Sequence, residues 1–466
     1  SEFIDRHKSA MAEDIDGDGT EGYAETLFLS SGDAWLPGLF YEASEDIWGV
    51  RGAADILIQN ELGIQAISFG NHEFDQGTAI IADLLSGIEP IEGLLPYDGA
   101  NFPYLAGNLD FSADANLAPL VEADGQDATD IAGKISGSTI VETAGGERFG
   151  LVSAVTPTLQ EISSPGDDVV VQPSDASGAL DDAQLDAVAA VIQEDVDALL
   201  TANPDINKVI LSSHMQNLNV ELALAERLSG VDIIMGGGSN RRLFDETDQG
   251  FAGEAAQGAY PTFVNDTDGN SVAVVNTDKG YEYLGRLVID FTADGVVIPE
   301  SYDPAVSGVY ATDEAGVARL EAQGLADPEI VEIAGRVADQ IAEGEGAVFG
   351  ITEVFLNGNR QGGGVDGVRT QETNLGNLTA DANLWYAQQL EPDGNVLVSI
   401  KNGGGIRDSI GTVIGPDSDG NFERQPPEAV IDGDGNVVKP VGGISQNDIG
   451  NVLAFNNGIS VLSLNT

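Results

Sequence analysis

The stretch Phe69-Gly70-Asn71-His72-Glu73-Phe74-Asp75 constrains this chain more than any other. It follows an apolar run, Ile64 to Phe69, that reads as a short buried strand. A glycine then permits a sharp turn, and a carboxamide, an imidazole and two carboxylates follow within five residues. An Asn oxygen is a neutral ligand for a hard or borderline cation, a His can give a proton, and a carboxylate three residues on can orient that His. A strand end bearing such groups is where α/β folds place their chemistry. The plainer alternative is a polar turn whose His is merely hydrogen-bonded. Companions elsewhere in the chain weigh against it.

Those companions are also strand ends. Thr26 to Ser30 is an apolar strand delivering Ser31-Gly32-Asp33, Val209 to Leu211 delivers Ser212-Ser213-His214, and Val231 to Met235 delivers Gly236 to Asn240. One carboxylate such as Asp33 can bridge two cations. The chain holds only three histidines, so a strand-end His214 reads as a functional residue rather than a core one, whereas His7, in Asp5-Arg6-His7-Lys8, reads as solvated. Helical spacing from Ala53 to Leu62 ends at Gly63, a C-cap. Strand, turn, helix and strand in this order predict parallel α/β packing with the site at strand C-termini. Strands are also predicted at 104–109, 146–156 and 396–400, with 271–276 and 284–291 antiparallel. Helices are predicted at 181–200, 328–343 and 372–386.

Gly-Asn-His-Glu-Phe-Asp resembles the signature of calcineurin-like metallophosphoesterases in the form used by the 5′-nucleotidase family. Six further stretches match in order: Ser31-Gly32-Asp33, Leu211 to His214, a modified Gly236 to Asn240, Glu372-Thr373-Asn374-Leu375-Gly376-Asn377-Leu378, Asn402-Gly403-Gly404-Gly405-Ile406-Arg407-Asp408, and Ala454-Phe455-Asn456-Asn457. The resemblance runs from about Leu27 to the last residue. It implies a four-layer α/β sandwich over residues 1–325, a linker helix over 326–345 and a smaller, incomplete α/β domain over 346–466, with the site in the cleft between the two domains.

The implied chemistry is phosphoester hydrolysis, with attack on phosphorus by a hydroxide held on two divalent cations (Mn, Zn, Mg or Ca). Asp33, Asn71, His214 and Asn240 are the implied metal ligands, and His72 oriented by Asp75 stabilises developing charge. Arg407, with Arg369 as a weaker correspondence, binds substrate. Phe455 is one wall of a nucleobase clamp or else a structural core residue, and Asn457 lies near the base edge. The implied substrates are nucleotides, and the implied location is extracellular or periplasmic. The family places Asp-x-His before the bridging Asp, and nothing like it precedes Asp33. We expect that pair to lie upstream of Ser1 and this chain alone to have little activity. Gly238 stands where the family has a His, which favours an oxygen-preferring cation over zinc. A broad phosphatase or phosphodiesterase without base preference is the nearer alternative. The more distant one is a non-catalytic, calcium-stabilised extracellular binding protein.

Composition bounds these readings. With 77 acidic and 19 basic residues the formal net charge is −58. This excludes nucleic-acid tracking and anionic membrane surfaces. An anionic substrate must therefore be captured by locally placed cations, which gives Arg360, Arg369, Arg407 and the adjacent Arg241 and Arg242 weight; surface ion pairing is the plainer reading of the last two. No run is long and apolar enough to cross a membrane. There is no cysteine, so the redox compartment is unreadable. Asp14, Asp16, Asp18 and Glu25 follow the spacing of a structural calcium loop, and equally that of a plain acidic turn. The Asp/Asn/Gly turns at 265–270, 417–421 and 432–436 read as hairpin tips.

Overall fold

The computed structural model describes residues 26–463 apart from 144, 252, 321, 361–366, 392–395, 415–422, 432–434 and 456–457. The candidate calcium ligands Asp14, Asp16, Asp18 and Glu25, and the base-edge candidate Asn457, lie outside the described residues. The chain divides into two compact units. One takes the described residues up to Leu36 with Trp48–Ala334; the other takes Pro37–Ile47 and the described residues from Gly335.

Two sheets organise the first unit. The smaller has four strands, all parallel, in the order Leu29–Ser30, Ala66–Ser68, Tyr104–Leu105, Ile135–Ser136. The larger has seven strands in the order Thr262–Asn265, Ser271–Val275, Ile233–Gly236, Val209–His214, Arg148–Val155, Ser138–Glu142, Gln126–Asp127. Its four central strands, from Ser271–Val275 to Arg148–Val155, run parallel. The sheets face one another through Ala66, Leu105, Leu151, Ile210, Ile233 and Ala273. Ser68 and Ser212 hydroxyls meet across this interface at 2.8 Å.

Because side chains alternate across a strand, Ile67 and Tyr104 point to the opposite face. Tyr104 packs there with Trp35, Phe69 and Phe102. Helices Ala53–Leu62 and Thr78–Ser86 lie in the crossovers on that side and bury Ile56, Ile81, Leu84 and Leu85. On the far side of the larger sheet, helices Asp182–Ala202 and Leu218–Ala225 join its parallel strands. They close a core of Val188, Ile192, Val196, Leu211, Leu224 and Ile234. The layers are therefore helix, sheet, sheet, helix.

Local signals fix these elements where predicted. Gly63 caps helix Ala53–Leu62 with a left-handed φ of 79°, donating to Asn60 and Gln59 carbonyls. Asp181 and Gln184 form a reciprocal capping box. The turn at 265–270 is a hairpin tip, with Asp266 Oδ1 accepting from the Asp268 and Asn270 N–H groups.

Four strand expectations need correction. The run predicted at 104–109 breaks into Tyr104–Leu105, in the smaller sheet, and Leu109–Asp110, which pairs with Val170–Val171. Ser271–Val275 is parallel to Ile233–Gly236 and antiparallel only to Thr262–Asn265, so it belongs to the main sheet. The run predicted at 284–291 breaks into Tyr283–Arg286, paired with Gly308–Ala311, and Asp290–Phe291, paired with Val297–Ile298. Residues 396–400 form no strand, and Leu397, Val398 and Ile400 are exposed. An apolar run reads as a strand, but only a hydrogen-bonding neighbour makes it one.

The second unit has a smaller core of Leu356, Leu375, Ile406, Ile410 and Val452. Strand Val348–Ile351 pairs antiparallel with Gly443–Ser445, and helix Asn374–Leu390 begins at its cap Thr373. Among the described residues no helix is long and apolar enough to cross a membrane.

Candidate active site

Four turns at the C-terminal ends of parallel strands carry the predicted residues. Gly32 and Gly70 bring two of them into backbone contact: Gly32 has φ +90°, and a Cβ there would collide with the Gly70 nitrogen. Glu73, wholly buried, ties the pair together. Its Oε2 accepts from Gly70 N–H at 2.8 Å and Asp33 N–H at 3.1 Å, and its Oε1 accepts from Ala34 N–H at 2.7 Å. Burial and the nearby Asp33 charge push the Glu73 pKa up to about 7. Asp33 sits in the left-handed region, φ 55°, which Asp tolerates. Its Oδ1 accepts from His72 N–H at 2.9 Å.

Asp33 Oδ2 lies 3.1 Å from Nε2 of the buried His214. On the other side of that ring, Nδ1 donates to the Ser31 carbonyl at 2.6 Å. Nε2 has no well-formed hydrogen bond of its own. Burial would lower the His214 pKa, but the Asp33 charge and contact outweigh it and hold it at about 9. For Asp33 itself burial would raise the pKa, and His214 and His72 lower it. Asn71 is buried beside this pair, with Oδ1 accepting from Gln216 Nε2 at 2.5 Å. A carboxylate, an imidazole nitrogen without a good partner and a carboxamide oxygen are the donor set a divalent cation needs. The residues present therefore fit one.

His72 completes the group. Its Nδ1 is 2.5 Å from Asp75 Oδ2, and Asp75 Oδ1 accepts from the Ser163 hydroxyl at 3.0 Å. Burial opposes a charged ring, yet the Asp75 hydrogen bond and the Asp33 charge leave the His72 pKa raised. With Nδ1 committed to Asp75, Nε2 is the atom left to act.

The glycine turn after Ile233–Gly236 is held much as Glu73 holds the others. Buried Glu221 accepts from Gly237 N–H at 3.1 Å, and burial pushes its pKa to about 7. Asn240 is exposed, with φ 51°. Arg242 is engaged by Asp278 at 2.7 Å and Glu254 at 3.3 Å. Glu254, Asp278 and Glu282 are close enough to one another to share a cation, and the pairing of Arg242 with the first two is the ion-pair alternative.

In the second unit the glycine loop packs on the Val368 backbone, where a Cβ at Gly403 would collide with the Val368 carbonyl and come within 3.4 Å of Arg369 Cα. Asn402 caps the loop by accepting from Gly404 N–H at 3.0 Å. Arg407 N–H donates to the Val452 carbonyl, and its guanidinium lies 4.6 Å over the Phe455 ring. Burial and the Arg369 charge lower the Arg360 pKa, so these two cations are neighbours. The described substrate candidates Arg369, Arg407 and Phe455 thus fall within one unit.

Sequence reasoning missed Ser163, Gln216 and Glu221, and it missed that Glu73 works as a clamp. Ser163 and Gln216 carry no local signal. Glu221, an acid among the apolar residues of a short helix, could have been noticed.

This fold, with a strand-end carboxylate, an Asn-His pair and a strand-end His, agrees with the metallophosphoesterase resemblance carried by the sequence motifs. No family model matches the chain. It is 28% identical over 391 residues to the trifunctional nucleotide phosphoesterase YfkN of Bacillus subtilis, covering 82% of this chain and 23% of that protein. It is 28% identical over 390 residues to the 5′-nucleotidase of Bos taurus, covering 82% of this chain and 56% of that one. The crystal structure of a 5′-nucleotidase precursor from Thermus thermophilus superposes with a TM-score of 0.60 at 25% identity, covering 98% of this chain and 68% of that one. In sequence and in fold the chain is thus similar to 5′-nucleotidases and nucleotide phosphoesterases. It spans 56% or less of the length of these two curated relatives.

Proposed function

We propose that this chain carries the site of a metal-dependent hydrolase that releases phosphate from nucleotides. The observation that carries the reading is the pairing of Asp33 Oδ2 with His214 Nε2 at 3.1 Å, beside the Asn71 carboxamide. Asp33, Asn71 and His214 would hold one divalent cation, with Asp33 shared by a second; Asn240 is the further candidate ligand. Such cations supply Lewis acidity toward phosphoryl oxygens and lower the pKa of water.

The remaining work falls to the chain's own side chains. Asp75 and Ser163 fix the His72 ring so that its Nε2–H can donate to the phosphoryl or leaving oxygen as charge develops. Arg407 and Arg369 position the anionic substrate. The Arg407 guanidinium already rests on Phe455, which presents an aromatic face to a nucleobase. Likeness to the 5′-nucleotidases and the acidic, cysteine-free composition support a location outside the cytoplasm.

The nucleotide preference is tested by comparing AMP with a simple aryl phosphate, using the native gene product and its Phe455→Ala variant. We expect a higher kcat/KM for AMP, and a roughly tenfold loss for AMP alone in the variant, since base–aromatic stacking is worth about 1–3 kcal/mol. Equal kcat/KM for the two substrates, unmoved by the substitution, would refute a base clamp and favour a broad phosphatase.

A further inference from the structure

Gly238 leaves the centre proposed above one side chain short, and the fold has put another side chain in that space. We infer that Gln216 supplies the missing ligand, its carboxamide oxygen completing the cation site formed by Asp33, Asn71 and His214. The inference rests on the metal-dependent reading and adds a residue to it.

Three observations converge on Gln216. A Cβ built on Gly238 would lie 2.5 Å from Gln216 Nε2 and 2.7 Å from His214 Nε2. The carboxamide therefore occupies the place where a side chain at position 238 would begin, against the imidazole nitrogen that faces Asp33. Second, the same Gln216 Nε2 donates to Asn71 Oδ1 at 2.5 Å, so Gln216 touches a second proposed ligand directly. Third, Gln216 has φ 62°, a left-handed conformation. A non-glycine residue pays about 1 kcal/mol or more to hold it, and such strain collects where a side chain must be aimed. Asn240, the other candidate, is exposed and hydrogen-bonds none of Asp33, Asn71 or His214.

A carboxamide presents an oxygen and a nitrogen of nearly the same size. A half-turn about Cγ–Cδ places Oε1 where Nε2 now lies, and the contact with Asn71 becomes two neutral oxygens converging on one cation. Gly238, with φ +73°, leaves the room this needs. Exchanging an imidazole nitrogen for a carboxamide oxygen makes the site harder and moves its preference from zinc toward manganese and magnesium. The competing role is purely as a donor, with Gln216 N–H orienting Asn71. Glutamate separates the two roles, because it is an isosteric ligand that cannot donate when ionised.

The test is a calorimetric titration of Mn²⁺ into the metal-free 466-residue chain and its Gln216→Ala, Gln216→Glu and His214→Ala variants. Thermal unfolding in chelator serves as the fold control. We expect a Mn²⁺ site that His214→Ala abolishes, that Gln216→Ala weakens by roughly tenfold or more, and that Gln216→Glu binds at least as tightly as the parent. Should Gln216→Ala fail to fold, the glutamate variant alone decides between ligand and donor. Affinity within about twofold of the parent in Gln216→Ala, or lost in Gln216→Glu, would overturn the assignment and leave the metal centre standing. No His214-dependent binding in the parent chain would overturn both.

Discussion

At Asp33 two strand-end turns meet through a buried carboxylate given over to backbone N–H groups. Glu73 accepts three backbone N–H groups, from Asp33, Ala34 and Gly70, while itself wholly buried. Removing its carboxylate leaves those donors without partners, and each buried unsatisfied group costs about 1–3 kcal/mol. Glu73→Ala is therefore expected to destabilise the first unit by roughly 3 kcal/mol or more in urea unfolding and to abolish Mn²⁺ binding at Asp33. A loss of under about 1 kcal/mol, with binding retained, would show that the turns hold themselves. The residues proposed to do the chemistry were legible because they sit in short contiguous motifs after apolar runs: Asp33, Asn71, His72, Asp75 and His214. The residues that aim them were not. Gln216 reaches Asn71 across 145 positions and Ser163 reaches Asp75 across 88, and no spacing rule announces a meeting at that range.

At the scale of elements, the strand that delivers His214 depends on an acid from its neighbour. Asp232, just before Ile233–Gly236, is buried and accepts from Val209 N–H at 2.8 Å. Burial raises its pKa from 3.8 to about 7, against the lowering effect of that hydrogen bond. A carboxyl group that is more basic folded than unfolded binds more protons in the folded state. Its contribution is thus fully present below pH 3.8 and is lost as pH rises through about 7. Asp232→Asn keeps an acceptor for Val209 and removes the titration. Tm profiles of parent and variant should diverge as pH climbs across this window, with the variant the more stable at about pH 8; parallel profiles would show that Asp232 does not titrate there. Helix ends were legible at this scale because Gly63 and the Asp181 box are local signals. Strand direction was not: the apolar run at 271–275 looks the same whether its neighbour runs parallel or antiparallel, and only the fold decides. The run at 396–400 shows the converse, strand-like composition left exposed.

For the whole molecule, a chain of net charge −58 would have to concentrate its few cations to take the proposed anionic substrate. The second unit does so, placing Arg360 beside Arg369 and Arg407 over Phe455. The first unit pairs Arg242 with Asp278 and Glu254. The sequence announced the two chemistries but not that Pro37–Ile47 clusters with residues from Gly335 onward, an association between distant stretches. Metal-dependent phosphoester hydrolysis is the central claim, and phosphate release from AMP tests it most directly. The native gene product is assayed after chelation, after resupply of Mn²⁺, Zn²⁺, Mg²⁺ or Ca²⁺ in turn, and beside His72→Ala. We predict that release stops on chelation, returns with an oxygen-preferring cation, and falls roughly 10²- to 10⁴-fold in the variant. Release that survives chelation, or no release with any cation from the folded protein, would contradict the account.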